Sequence, residues 1–155
     1  MGLEDLYREI ILDHYRSPRN PGELPPPAHR VEGFNPLCGD EVILTIEVED
    51  GIITDLKIGG QGCSISSSSA SMMSAAIKGK SVEEAREFIT AFKTMMSIHE
   101  HDLGDDEHAE LDEINPELKL GDLEALKGVV KFPVRIKCAT LGWNTLVQAL
   151  DELEV

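Results

Sequence analysis

The stretch EVILTIEVEDGIITDLKIGG, residues 41–60, decides the fold. Its first half alternates on a period of two, with Val42, Leu44, Ile46 and Val48 on one face, as a half-buried strand requires. Asp50-Gly51 supplies a tight turn tolerant of positive φ, and IITDLKIGG returns as the partner strand. The segment therefore predicts an antiparallel β-hairpin.

Upstream of it, His29 to Phe34 is plausible as short extended structure. Before that, Pro18, Pro21 and Pro25 to Pro27 mark a linker. The chain opens on an amphipathic helix, with Leu3, Leu6, Tyr7, Ile10 and Ile11 at helical spacing, ending near Arg16. Downstream, GGQG leads to Cys63 and a serine-rich segment. There Ile65, Met72, Met73, Ala76 and Ile77 predict a helix whose small residues allow close packing. Gly79 stops it. Ser81 to Glu84 reads as a capping box opening another helix through about Met96. The acidic, His-containing stretch at about 97–122 reads as an inserted surface segment, Leu123 to Leu126 as a short helix. After Pro133, RIKCATLGWNTLVQALDELE predicts a terminal helix with Cys138 at or near its start. The order of elements predicts an α+β fold, a small antiparallel β-sheet packed against several α-helices.

With 155 residues and 41% hydrophobic content, the chain suits a single domain, 1–155. Its 14 basic against 29 acidic residues give a net charge of −15. That balance argues against nucleic acid and anionic membranes as partners and favours basic patches on proteins. No apolar run is long enough for a membrane span, and the charged N-terminus is unlike a signal sequence. Leu6 breaks the myristoylation pattern that Met1-Gly2 begins. Three cysteines are few for a disulfide framework and compatible with a reducing, cytoplasmic setting.

Cys38, Cys63 and Cys138 each sit at a turn or element end in this reading. A thiol at a helix N-terminus feels the positive end of the dipole, which favours thiolate, the form that binds metal and attacks sulfur. None has CxxC spacing, so distance along the chain does not by itself separate a metal site from ordinary buried cysteines. Asp40 taken alone reads more readily as a turn or capping residue. A cysteine hydrolase would need a Cys–His pair, and no histidine has local support for that role. His99, His101 and His108 read as part of a solvated acidic loop. The run Ser66 to Ser69 reads as helix packing, and Met72, Met73, Met95 and Met96 as core gap-fillers.

The segments NPLCGD (35–40), GQGCSIS (60–66) and RIKC (135–138), in this order around a hairpin, resemble the U-type iron–sulfur cluster assembly family, of SufE/NifU-like fold. LYREIILDHY (6–15) and KGKSVEEA (78–85) are also similar to it. Members of the IscU-like branch carry His before the third cysteine, where this chain has Lys137. That difference, and the extra length after Met96, resemble the SufU branch. The resemblance implies a Zn²⁺ site made by Cys38, Asp40, Cys63 and Cys138, whose S₃O donor set suits tetrahedral zinc. It implies a sulfurtransferase-type carrier taking persulfide sulfur from a pyridoxal-phosphate-dependent cysteine desulfurase, SufS-like, and working among other iron–sulfur assembly proteins. Cys38, in a loop where displacement disturbs least packing, is the expected acceptor, with Cys138 second. Arg135 is expected to steady the persulfide or dock the partner, against the alternative of a surface charge pair. Two other functions stay open. One is a scaffold on which iron or a transient [2Fe–2S] cluster is assembled and passed on. The other is a structural zinc module for protein interaction.

Overall fold

The computed structural model describes residues 3–36, 39–101, 125–126, 129 and 133–153. Helix α1 (Leu3–Arg16) is followed by strands β1 (His29–Asn35), β2 (Asp40–Glu49) and β3 (Ile52–Gln61). Helices α2 (Ser64–Ile77), α3 (Val82–His101) and α4 (Pro133–Glu152) complete the order. This is the expected α+β class: one antiparallel sheet, ordered β1-β2-β3, against helices in a single domain.

The hairpin forms as its alternation predicts. Val42, Leu44 and Ile46 are buried, and Val48 packs at the edge of the same core. Strand β1 goes beyond the expected extended segment, because it pairs with β2 along its whole length, from His29 opposite Ile46 to Asn35 opposite Asp40. Cross-strand partners share a face. Val31, Gly33 and Asn35 therefore line up with Leu44, Val42 and Asp40 on the side facing the helices. At Gly33 an added Cβ would collide with Thr145 of α4, so a bare backbone is what lets that helix lie close to the sheet. At the outer edge of β3, the proline-containing linker is pinned to the sheet. The Gly22 amide donates to the Ile58 carbonyl at 2.9 Å, and the Ile58 amide donates back to Asn20 at 2.9 Å.

The serine-rich segment of α2 packs closely, and its hydroxyls are satisfied. Ser69 accepts from Trp143 Nε1 at 3.1 Å and donates to the Ala139 carbonyl in α4. Ser71 meets the buried His14 ring of α1 at 2.8 Å, and Gly142 approaches Ala70 directly. Met72, Met73, Met95 and Met96 lie in the core, as expected of gap-fillers. The capping box opens α3, with the Glu84 amide donating to Ser81 Oγ at 3.0 Å. Two boundaries differ from expectation. Helix α3 runs past Met96 to His101, since the first glycine after Met96 is Gly104. Helix α4 starts at Pro133 itself, because proline is well tolerated in a first turn, where its missing N–H has no helical partner. Cys138 is consequently the sixth residue of α4 and not its start. Of the expected 123–126 helix, Ala125 and Leu126 form a buried 3₁₀ turn. The greater part of the acidic stretch, 102–122, lies outside the described residues. No helix among the described residues is long and apolar enough to cross a membrane.

Candidate metal centre

Three elements end at one place. The β1–β2 connection brings Asn35 and Asp40 side by side, in register and buried. Because β2 alternates, Asp40 shares the phase of Val42 and Leu44 and so faces inward at the end of the sheet. Strand β3 leads through Gly62 into α2, with Cys63 as its N-cap residue. The Cys63 amide donates to Asp40 Oδ1 at 2.9 Å, and its sulfur accepts from the Ser66 amide at 3.5 Å. A Cβ on Gly62 would press against the Asp40 carboxylate at 2.8 Å and against Ser66 Oγ, so only glycine leaves room for the carboxylate there. Helix α4 brings Cys138, which is fully buried, and one turn before it Arg135, which is exposed.

One ligand atom from each of Asp40, Cys63 and Cys138 lies within 4.8 Å of the other two. Asp40 Oδ2 is 3.7 Å from Cys63 Sγ. A tetrahedral zinc ion with bond lengths of about 2.3 Å to sulfur and 2.0–2.2 Å to oxygen would separate those donors by about 3.6 Å. Two soft sulfurs and one hard oxygen gathered this closely suit such an ion. Cys63 and Cys138 are not joined by a disulfide.

Arg135 sits beside both sulfurs. The negative charge of the Cys63 thiolate, then the hydrogen bond to Cys138 and the charge of that sulfur, hold its guanidinium above the ordinary arginine value. Arg135 thus places a cation near the two described thiols. Its position follows from the RIKC spacing, since residues three apart share a helix face. The structure therefore brings together Asp40, Cys63, Cys138 and Arg135 of the expected site residues. Cys38, with Leu37, lies outside the described residues, and so do the side chains of His99 and His101 and the whole of His108.

Sequence reasoning overlooked Asn35, whose side-chain amide donates to Cys138 Sγ at 3.8 Å. Its signal was the strand period: Asn35 falls in phase with Val31, so it faces the helices. The expected dipole effect applies to Cys63 at the start of α2. It does not apply to Cys138, which lies inside α4 and takes a side-chain donor instead.

Fold and cluster together define a small α+β thiol protein with a buried carboxylate and a site sized for one metal ion. A family profile described as "NifU-like N terminal domain" matches residues 6–139. The zinc-dependent sulfurtransferase SufU of Bacillus subtilis is 46% identical over 152 residues, 98% of this chain and 94% of the relative. An iron–sulfur cluster assembly scaffold protein IscU from Streptococcus pyogenes is 40% identical, covering 96% of this chain and 84% of the relative. A crystal structure of a candidate iron–sulfur cluster assembly scaffold for the SUF system, from Fervidobacterium islandicum, superposes with a TM-score of 0.75. It is 34% identical and covers 96% of this chain and 99% of that one. The chain belongs to the NifU-like N-terminal domain family, which includes the IscU and SufU proteins.

Proposed function

We propose that this protein is a zinc-binding sulfur acceptor in iron–sulfur cluster assembly, taking persulfide sulfur from a cysteine desulfurase in the cytoplasm. The observation that carries the reading is the convergence of Asp40, Cys63 and Cys138 from three separate elements onto one ion-sized space. Similarity to the Bacillus SufU over nearly the whole chain supports zinc and sulfur transfer over other uses of such a site. Cys38, Asp40, Cys63 and Cys138 would hold the zinc. Cys38 stands two residues before Asp40, so peptide geometry keeps their Cα atoms within about 7 Å. Bound zinc would keep the thiols deprotonated at neutral pH.

Cys38 is the acceptor in this reading. Cys138 is buried on every side, and the Cys63 sulfur caps α2, which leaves neither suited to meet a partner's sulfur. The Cys38 thiolate attacks the outer sulfur of the partner's protonated persulfide. The S–S bond breaks, its electrons leave on the partner's cysteine as thiolate, and Cys38 carries the –S–SH group. Arg135 offsets the negative charge that the thiolates and the incoming sulfur bring together. The acidic surface of the chain, net −15, would meet a basic face on the desulfurase.

Cys38→Ala tests this reading. It is expected to give a folded protein that takes no radiolabelled sulfur from a charged desulfurase and does not stimulate its turnover. A folded Cys38→Ala protein with full stimulation would refute Cys38 as acceptor. A structural zinc module predicts instead that Cys38→Ala and Cys63→Ala unfold the domain equally. Similarity to the streptococcal IscU keeps the scaffold reading in view. It predicts a brown protein, purified without air, that passes its cluster to an apo-acceptor.

A further inference from the structure

Burying a thiolate is costly unless donors replace the water it loses. Cys63 has such a donor in the Ser66 amide at the start of α2, whereas Cys138 lies inside α4, where the backbone amides are committed to the helix. Cys138 is nonetheless fully buried. A buried side chain on a different element, Asn35 of β1, points its Nδ2 at that sulfur from 3.8 Å. The Asn35 carbonyl also accepts the Gly39 amide at 2.8 Å, tying the end of β1 to the start of β2. In the sheet Asn35 stands opposite Asp40, so two neighbouring positions deliver an amide to one cysteine and a carboxylate to the other.

We propose that Asn35 is a positioning residue of the metal centre: its side-chain amide donates to Cys138 and stabilises that sulfur as a thiolate ligand. The inference rests on the metal-site reading above and adds a residue that need not touch the ion. The chemistry selects asparagine. An aspartate of the same shape would have no donor and would set a second negative charge against the thiolate. A leucine, branched in the same way though larger, would leave the sulfur without that neutral donor. Partners that orient and polarise a metal ligand commonly contribute about ten-fold or more to metal affinity. A hydrogen bond to sulfur also lowers the energy of its lone pair, so losing it moves sulfur-to-metal charge transfer to longer wavelength.

The test uses the full chain loaded with Co²⁺ as a coloured stand-in for zinc, beside Asn35→Leu and Asn35→Asp. In both variants the thiolate-to-cobalt band is expected to shift to longer wavelength. In Asn35→Leu, zinc affinity measured against a chromophoric chelator is expected to fall about ten-fold. A general loss of packing would weaken affinity without moving the band in both variants. Bands unmoved in both would overturn the role of Asn35 alone. Absence of any thiolate-to-cobalt band in the unaltered protein would overturn the metal site and this inference together. If the variants do not fold, ¹⁵N-labelled unaltered protein loaded with Cd²⁺ decides. One Asn35 side-chain amide proton is then expected to move downfield on loading, and an unchanged pair would refute the hydrogen bond.

Discussion

Cys63→Ala is expected to lower zinc affinity by about a hundred-fold or more. Structural zinc sites with four protein ligands bind with roughly 10–16 kcal/mol of apparent free energy, so an average donor accounts for about 3 kcal/mol. The Cys63 sulfur also accepts the Ser66 amide as the cap of α2, whereas the backbone amide that donates to Asp40 is kept by alanine. Loss of the cap costs the metal-free protein about 1 kcal/mol. The two effects separate by measuring zinc affinity by chelator competition and stability by denaturant titration of the metal-free form. A Cys63→Ala protein that keeps one zinc with unaltered affinity would remove Cys63 from the ligand set.

Trp143→Ala is expected to destabilise the fold by about 3–5 kcal/mol without altering the composition of the metal centre. Trp143 is fully buried and stacks on Phe92 of α3, with ring centroids 4.5 Å apart and planes 13° from parallel. Its Nε1 donates to Ser69 of α2. One side chain thus joins three helices, two of which carry Cys63 and Cys138. For a chain of this size the loss corresponds to a fall in Tm of roughly 10 °C. Trp143→Phe, which keeps one aromatic ring against Phe92 and gives up the rest of the indole with its N–H, should cost less. The check is thermal unfolding of both variants in metal-free form, and a Trp143→Ala loss under about 1 kcal/mol would contradict this account of the core.

The hairpin was legible because its information is local: four alternating apolar residues, an Asp-Gly turn and a matching return. Cys63 was legible for a similar reason, since a glycine-rich approach followed by small residues marks a helix start. The pairing of β1 was not, because a seven-residue strand containing Arg30, Glu32 and Gly33 has no local signal naming its partner. Gly33 reads as a weak strand residue until Thr145 of α4 is seen against it. Cys138 sits in the second turn of α4 and not at its first residue, because the fixed φ of proline suits a first turn and the helix starts at Pro133. That single shift changed the chemistry of the third thiol from a helix-dipole site to one served by Asn35. Asp40 and Asn35 teach the same lesson. Polar residues that keep the phase of a buried strand face are candidates for a site, even where a turn explains them locally.

Zinc-edge X-ray absorption on the full chain, loaded with one equivalent of zinc, reads the donor atoms directly. Coordination by three sulfurs at about 2.3 Å and one oxygen at about 2.0–2.2 Å is the predicted result. A shell made of nitrogen and oxygen alone, or zinc that washes away during buffer exchange, would contradict it.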